Sequence, residues 1–267
     1  EKKPTRVVVD SFIQASKIES LDVLVVVDTS GSMMDNYEDV GMGMETLRVD
    51  IESLTLDYQF GFITADPNRL SYVGPYDNAS TSIDILLAPS LLGSTGLEHG
   101  FAATYEFYNS EEGVSFVRPG ADFLLFLISD EDEQSSISAI MFKEWLDVEF
   151  AGVNHDVVCV ANPDDEEGGW ANEIGYKFIE LSNLYGKDLI DIKDESWSVW
   201  LSESSFITQQ IDYIELSEED PIADSIVVYI DNEEITEWKY FEETRTVLLD
   251  FVPEHGSLVE VGYQVYQ

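Results

Sequence analysis

The larger part of the chain is marked by apolar runs in which polar residues do not alternate with apolar ones. They are LDVLVVVD (21–28), YQFGFITAD (58–66), DFLLFLISD (122–130), HDVVCVAN (155–162) and the shorter DLIDI (188–192). An unbroken apolar run is typical of a strand that is covered on both faces, as in a parallel sheet. The pattern therefore predicts that these runs form the interior sheet of one domain.

Segments with helical spacing of their apolar residues lie between and after these runs. They cover residues 36–56, 97–108, 135–149, 171–185 and 195–206. In the third segment Ser135 and Ser136 are candidate helix caps. Its apolar side is predicted to consist of Ile137, Ile140, Met141 and Trp145. Strands and helices in alternation indicate a doubly wound α/β fold with a mostly parallel, Rossmann-like sheet.

The pattern changes near residue 209. From residue 225 onward, short apolar stretches are separated by turn residues, and SLVEVGYQVY alternates apolar with other residues. We therefore predict an N-terminal extension or strand in residues 1–20, an α/β domain in residues 21–208 and a small all-β module in residues 209–267. The opening stretch RVVVDSF fits as an extra strand of either part.

The charge and composition narrow the classes of function. The chain has 13 Lys and Arg against 54 Asp and Glu, which gives a formal net charge of −41. Such a field repels nucleic acid and anionic membranes, so neither is expected as a partner. No run approaches the roughly 20 apolar residues of a membrane span, so no direct membrane insertion is expected. The single Cys159 has no partner for an internal disulfide and is expected to be a small buried hydrophobic residue.

Oxygen donors gather where the first apolar run ends. Asp28 closes that run, and Ser30 and Ser32 follow two and four positions later. Because ligands of an open parallel sheet bind beyond the carboxyl ends of its strands, Asp130, at the end of a second run, is expected nearby. Carboxylates and hydroxyls are hard oxygen ligands that suit Mg²⁺, Mn²⁺ or Ca²⁺ and not zinc or copper. The sequence thus predicts a divalent-cation site, with Mg²⁺ as the first choice.

The stretch DTSGSM, with its apolar lead-in, resembles the D-x-S-x-S motif of the von Willebrand factor type A (VWA) domain and its metal-ion-dependent adhesion site (MIDAS). The resemblance covers roughly residues 10 to 208 and is nearest to a bacterial envelope subgroup, with SDEDE in place of the more familiar T-D-G segment. The C-terminal β module also resembles modules that follow such domains, through its W-x-Y and PEHGSLVEVGY patterns.

The resemblance implies a set of metal ligands. Ser30 and Ser32 would bind the cation directly, and Asp28 and Asp130 directly or through water. Thr95 would supply the hydroxyl of the second loop, although Ser94 and Glu98 compete with it for that role. An acidic side chain of a protein partner would complete the metal shell. The implied function is non-enzymatic, cation-dependent protein binding or adhesion at an extracellular, cell-envelope or virion surface.

Enzymatic alternatives fit the sequence less well. A phosphotransfer site of the haloacid-dehalogenase kind needs a second aspartate two positions after the first, and that position is Ser30. A Ser/His/Asp hydrolase needs a histidine near its nucleophile, and no G-x-S-x-G elbow surrounds any serine. An EF-hand loop starting at Asp130 would need glycine where Ser135 stands. We therefore expect no catalytic residues.

Other interpretations of the same residues remain open. Asp66, at the end of another predicted strand, either supports the metal ligands or caps the next turn, and His99 is a candidate neighbour of the site. The domain is alternatively a structural assembly component of a virion or cell-envelope complex, held in a permanent interface. A site that folds without holding a metal is a third interpretation. The partner and the oligomeric state are not determined by the sequence.

Overall fold

The apolar runs form strands in the computed structural model, which describes residues 4–14, 18–164, 173–205, 212–253 and 257–266. In these residues the strands are β1 (Thr5–Ile13), β2 (Leu21–Val27), β3 (Tyr58–Thr64), β4 (Tyr72–Asp77), β5 (Asp122–Ile128), β6 (His155–Ala161), β7 (Ile190–Asp191), β8 (Tyr213–Glu215), β9 (Val227–Ile230), β10 (Glu233–Ile235), β11 (Trp238–Phe241), β12 (Thr246–Leu249) and β13 (Leu258–Tyr266). The helices are α1 (Tyr37–Glu52), α2 (Ser82–Leu91), α3 (Gly100–Tyr108), α4 (Glu111–Phe116), α5 (Ala139–Glu149), α6 (Tyr176–Leu184) and α7 (Trp200–Glu203).

The chain divides into two units. Residues Ile18–Ile207 form one, and Glu1–Lys17 together with Thr208–Gln267 form the other. We call the first the α/β unit and the second the β unit.

The α/β unit is built on a six-stranded sheet in the order β4-β3-β2-β5-β6-β7. β2, β3, β5, β6 and β7 run parallel to their neighbours, and β4 runs antiparallel to β3 at one edge. The predicted doubly wound, mostly parallel α/β fold is therefore confirmed. β2 lies near the middle with β3 and β5 on either side, so their carboxyl ends meet at one edge.

Alternate residues of β2 are buried on opposite faces of the sheet. Val23 and Val25 pack in a cluster with residues of α1 and α2, whereas Leu24 and Val26 pack with residues of α3, α5 and α6. All seven residues of the strand are buried. This double coverage explains why the run lacks the alternation of a strand that has one face in water.

The predicted start of the helix at 135–149 is wrong, and its predicted apolar side is right only in part, since Ile137 and Trp145 pack against the core. The cap is Ser138, whose hydroxyl accepts a hydrogen bond from the backbone N–H of Met141. Ile140 and Met141 are exposed, and the buried side consists of Ala139, Phe142 and Leu146. The buried face is centred on Phe142 and Leu146, one position after the predicted Met141 and Trp145, and one position corresponds to about 100° of rotation around a helix.

Other elements differ in extent from their predictions. The helix predicted at 195–206 is a 3₁₀ turn at Trp197–Val199 followed by α7, and residues 206–211 lie outside the described part. The helix predicted at 171–185 corresponds to α6, which covers Tyr176–Leu184 in the described residues. The sequence patterns did not predict β4, α2 or α4. Every residue of β4 is exposed or partly buried, so the strand lacks an apolar run.

The β unit contains two antiparallel sheets, with strand orders β1-β13-β9-β10 and β11-β12-β8. β1 pairs with β13 over nine residues, from Thr5 opposite Tyr266 to Ile13 opposite Leu258. The opening strand, which the sequence allowed in either part, is therefore a strand of the β unit. Both sheets contribute to one apolar cluster, which includes Val228 and Val247.

Two further sequence expectations concern membrane insertion and the single cysteine. None of the helices in the described ranges combines the length and the apolar character that crossing a bilayer requires. Cys159 is a free, buried cysteine, and burial raises the pKa of its thiol to about 12, as expected for a hydrophobic side chain in the core.

Candidate metal centre

Asp28 is fully buried at the carboxyl end of β2 and is held by several hydrogen bonds. Its backbone N–H donates to the carbonyl of Ile128, the last residue of β5 (2.9 Å). The backbone N–H of Ser30 donates to Oδ1 of Asp28 (2.8 Å), and the hydroxyl of Ser129 donates to Oδ2 (2.7 Å). The two neighbouring strand ends therefore fix both oxygens of this carboxylate.

A chain of hydroxyl groups joins the Asp28 loop to Asp130. The hydroxyl of Ser32 donates to Oδ1 of Asp130 (3.2 Å), and the hydroxyls of Ser30 and Ser32 lie 2.8 Å apart. Because a hydroxyl has a single hydrogen, Ser30 is then the donor to Ser32. The proton of Ser30 is thus directed at Ser32, and the lone pairs of the Ser30 oxygen remain available for a cation.

The hydroxyl of Thr95 can be assigned in the same way, because each hydroxyl has one hydrogen to donate. The hydroxyl of Thr29 donates to the carbonyl of Gly93 (2.9 Å), so in its 2.8 Å contact with Thr95 the proton comes from Thr95. The backbone N–H of Thr95 also donates to the carbonyl of Thr29 (3.2 Å). The hydroxyl of the exposed Ser94 donates to the same carbonyl (3.2 Å). Thr95 is buried, and its hydroxyl oxygen keeps its lone pairs free.

The five predicted ligands thus lie in one connected group. Hydrogen bonds link Asp28, Ser30, Ser32 and Asp130 in series, and Thr95 is bonded to Thr29 of the same loop. In the described residues no three His, Cys, Asp or Glu side chains form a group that could hold a metal ion. A cation at this edge therefore depends on hydroxyl ligands as well as carboxylates.

Four carboxyl groups at this edge repel one another. Burial, followed by the charge of Asp28, raises the pKa of Asp130 to about 6, and burial with the charges of Asp28, Glu131 and Asp130 raises the pKa of Glu98 to about 7. The pKa of Asp28 is raised by burial, and that of Glu131 by burial and then by Asp130 and Asp28. The charged groups behind these shifts are all carboxylates, so a bound cation would relieve a repulsion that the fold leaves in place.

The donor set fits a hard divalent cation. It offers two carboxylates and three hydroxyl oxygens, whose protons are directed to other acceptors in the protein. Such oxygen ligands suit Mg²⁺, Mn²⁺ or Ca²⁺.

Two other acidic residues of SDEDE, Asp132 and Glu133, have structural partners. The carboxylate of Glu133 accepts hydrogen bonds from the backbone N–H groups of Phe101 (2.9 Å), in the first turn of α3, and of Ser135 (2.8 Å). That of Asp132 accepts from the backbone N–H of Lys177 (2.9 Å), in α6. The departure from the familiar segment thus provides carboxylates that tie two helices to the loop after β5.

Asp66 and His99, the two other candidates from the sequence, form hydrogen bonds within neighbouring turns and loops. Oδ1 of Asp66 accepts a hydrogen bond from the backbone N–H of Asn68 (2.9 Å), so Asp66 caps the turn after β3, as one of its two interpretations proposed. His99 directly precedes α3, and its backbone N–H donates to the carbonyl of Ala65 (2.8 Å).

Two residues of the site, Thr29 and Ser129, are not among the predicted metal ligands, although the sequence places Ser129 beside Asp130 at the end of its strand. Both are buried, and each hydrogen-bonds to a predicted ligand. Thr29 occupies an unspecified position of D-x-S-x-S, so the motif gives no signal for it. Ser129 precedes Asp130 at the end of β5, and its position beside the end of β2 is a signal that follows from the parallel register of the two strands.

Comparison with known proteins supports the fold. No protein-family model matches the chain, and no curated protein matches it. The pilus adhesin SpaC from Lactobacillus rhamnosus GG is 11% identical with a TM-score of 0.51, over 99% of this chain and 42% of that chain. A von Willebrand factor type A structure from Catenulispora acidiphila is 12% identical with a TM-score of 0.44, over 99% and 66% of the two chains. The manganese-loaded TRAP protein of Plasmodium vivax is 15% identical with a TM-score of 0.43, over 67% of each chain.

The likeness to SpaC concerns the fold alone, because the identity is low. This chain spans 42% of the length of the SpaC chain. With its mostly parallel central sheet and helices on both faces, the α/β unit has a type A-like fold.

Proposed function

We propose that the α/β unit binds a protein partner through a divalent cation held by Asp28, Ser30, Ser32, Thr95 and Asp130. The cation is Mg²⁺ in the first instance, with Mn²⁺ or Ca²⁺ as alternatives, and an acidic side chain of the partner completes its shell. The observation that carries the proposal is the direction of the hydroxyl protons. Ser30, Ser32 and Thr95 all donate within the protein, so their oxygens are left as acceptors for a cation.

A binding role fits these residues better than catalysis. Ser30 stands where a phosphotransfer enzyme needs its second aspartate, so the acid/base group of that chemistry is missing beside Asp28. The ring of His155, on β6, is hydrogen-bonded to Asp147 (3.1 Å), a partner outside the ligand group. A cation with an accessible ligand position would bind an external carboxylate in exchange for water, without any covalent bond being broken.

The likeness to a pilus adhesin supports the kind of setting that we propose. SpaC shares the fold at a TM-score of 0.51, and its name describes a surface protein that adheres. We infer by analogy that this chain acts at an extracellular, cell-envelope or virion surface. Its net charge of −41 suits surroundings of high ionic strength, where salt screens the self-repulsion.

Calorimetric titration with Mg²⁺, Mn²⁺ and Ca²⁺ tests the site. The intact chain is expected to take up one cation at a saturable site above a weak diffuse background. Asp28→Ala should lose this site, and Glu144→Ala, which removes an exposed carboxylate of α5, should keep it. If the intact chain and Asp28→Ala take up cations equally, the uptake is diffuse and the proposed site is wrong.

A second experiment separates adhesion from permanent assembly. Partners recovered from the native surroundings are eluted first with a chelator and then with high salt. Adhesion through the cation predicts release by the chelator and failure of Asp28→Ala to recover the same partner. Stoichiometric recovery that withstands both treatments would instead support a permanent interface in an assembly.

A further inference from the structure

The opening strand β1 lies at one edge of the first sheet of the β unit. The strand order is β1-β13-β9-β10, and in the part of the chain that the structure describes no strand pairs with the other side of β1. The strand is nine residues long. A long edge strand presents a row of unpaired backbone N–H and C=O groups, to which a strand of another molecule can be added.

Alternate residues of β1 direct their backbone groups to β13. Gln14, which directly follows β1, donates its backbone N–H to the carbonyl of Ser257 (2.9 Å). The next carbonyl, of Leu258, instead accepts from the backbone N–H of Asp231 (2.9 Å), on the other side of β13. Since bonded and non-bonded residues alternate along each side of an antiparallel strand, the even-numbered residues of β1 are bonded to β13. The odd-numbered residues direct their N–H and C=O groups to the open edge, and these are Thr5, Val7, Val9, Ser11 and Ile13.

The side chains beside this open edge are apolar and exposed. Val7 is 69% exposed and Val9 is 55% exposed. With Val227, Tyr229 and Gly262 they line an open depression of about 400 Å³ on the outer face of the sheet. Gly262 stands between Val9 and Val227 in the register, so its missing side chain leaves the middle of the depression open. Large aliphatic side chains next to an unpaired edge favour pairing with another strand.

The sequence of β1 fits a second, antiparallel copy of itself. When Val8 lies on the two-fold axis between the copies, Val7 of one copy stands opposite Val9 of the other. The backbone groups that point to the open edge then face one another and can form a ladder. On the inner face the same register sets Arg6 opposite Asp10, so opposite charges meet across the pair. A shift of the second copy by two residues in either direction would set Asp10 opposite an uncharged residue.

The distribution of charge also favours β1 as the contact between copies. The chain has 54 Asp and Glu against 13 Lys and Arg, so two copies repel each other over most of their surfaces. In residues 1–17 the balance is reversed, with four Lys and Arg against two Asp and Glu. The net repulsion therefore opposes contact through this segment less than contact through the rest of the chain.

We propose that two copies of the chain associate through their β1 strands, antiparallel and around a two-fold axis at Val8, so that one sheet continues through both β units. The contact is a single strand pair with four valines on its outer face, which makes it a small interface. Association is therefore weak, in the micromolar range. This inference goes beyond the proposed function and does not depend on the cation site, whose residues belong to the α/β unit.

Analytical ultracentrifugation of the full chain measures the association. The dissociation constant of the dimer should fall about tenfold from about 0.1 M to about 1 M salt, since salt screens the net repulsion and leaves the backbone ladder intact. Val9→Lys places a charge at the paired edge and should raise the dissociation constant by about tenfold or more.

Val148→Lys is the matched control, because it changes the net charge equally at a valine of α5 that is 72% exposed. It should stay within about twofold of the intact chain. A chain that remains monomeric in high salt at millimolar concentration overturns the proposal. An equal effect of the two substitutions also overturns it, because the contact would then lie elsewhere.

A disulfide tests the register separately from the affinity. Thr5 and Ser11 are exposed and would stand opposite each other across the pair, whereas within one strand they are about 20 Å apart. The double variant Thr5→Cys/Ser11→Cys should therefore form a covalent dimer with oxidised glutathione, and neither single variant should do so. The native Cys159 is buried and does not compete. Equal cross-linking of the single and double variants, or no cross-linking in the double variant, would show that this register is wrong.

Discussion

Ser129 donates a hydrogen bond of 2.7 Å to Oδ2 of Asp28, across the ends of two neighbouring parallel strands. Ser129 is 2% exposed and Asp28 is fully buried, so water cannot easily replace the lost donor. We therefore expect Ser129→Ala to lower the free energy of unfolding by about 1–3 kcal/mol, the range for a buried acceptor that loses a partner. Urea unfolding in the presence of a chelator measures this effect without any contribution from bound cations.

Ser136→Ala is the matched control for this prediction, because Ser136 is exposed after the SDEDE loop. It should change the free energy of unfolding by less than about 0.5 kcal/mol. An equal effect of the two substitutions would mean that the bond between Ser129 and Asp28 does not stabilise the strand ends.

The central sheet was predictable because its signal is strong and local. A strand such as Val23–Val27, buried on both faces, needs an unbroken apolar run, and few other elements produce one. The approximate place of Asp28 and Asp130 followed from the same pattern, since parallel strands end at the same edge.

The remaining features depend on contacts that a single sequence does not display. Edge strand β4 has no fully buried residue, so no apolar run marks it. Ser135 and Ser138 are equally good caps by residue type, and the choice between them depends on Glu133, which accepts the N–H of Ser135.

Close packing of α1 on α2 leads to a second prediction. A Cβ added at Gly41 would lie 2.4 Å from the backbone carbonyl oxygen of Leu86. Because backbone atoms cannot move aside cheaply, Gly41→Ala should force the two helices apart and destabilise the α/β unit by about 1–3 kcal/mol.

At Gly96 an added Cβ meets nothing within 4 Å, so Gly96→Ala is the control. Chemical unfolding of both variants, followed by far-UV circular dichroism, checks the difference. Equal stability of the two would show that α1 and α2 adjust without cost.

The ion pair between Arg48 and Glu45 in α1 leads to a prediction on pH. Arg48 Nη2 lies 2.6 Å from Oε1 of Glu45, and this hydrogen bond lowers the pKa of Glu45 below its usual 4.5. A lowered pKa in the folded state stabilises the fold above pH 4.5, and this contribution is lost as the pH falls through the folded-state value. Arg48→Gln should therefore cost about 1 kcal/mol at neutral pH and much less in acid.

The control for Arg48→Gln has to account for the net charge of −41, because removing any cation from this chain increases its self-repulsion. Arg69→Gln removes an exposed arginine for which no ion pair is found in the described residues. Thermal unfolding at several pH values should show a larger loss for Arg48→Gln at neutral pH and a convergence of the two variants in acid. A difference that does not depend on pH would show that Arg48 stabilises α1 by packing and not by its charge.

The last prediction concerns the opening strand and the C-terminal strand of the β unit. The phenol of Tyr263, on β13, is 1% exposed and donates a hydrogen bond to Oδ2 of Asp10, on β1 (2.8 Å). Asp10 also accepts from the backbone N–H of Ser217 (2.8 Å), so one carboxylate joins three segments that are distant in sequence. Tyr263→Phe removes the donor and should destabilise the β unit by about 1–2 kcal/mol.

Tyr213→Phe, at a residue that is 52% exposed on β8, is the control and should have little effect. Hydrogen exchange is the measurement, because β1 and β13 pair residue by residue and their amides should lose protection together in Tyr263→Phe. Loss of protection in β1 alone would mean that β13 and its sheet are stable without the opening strand.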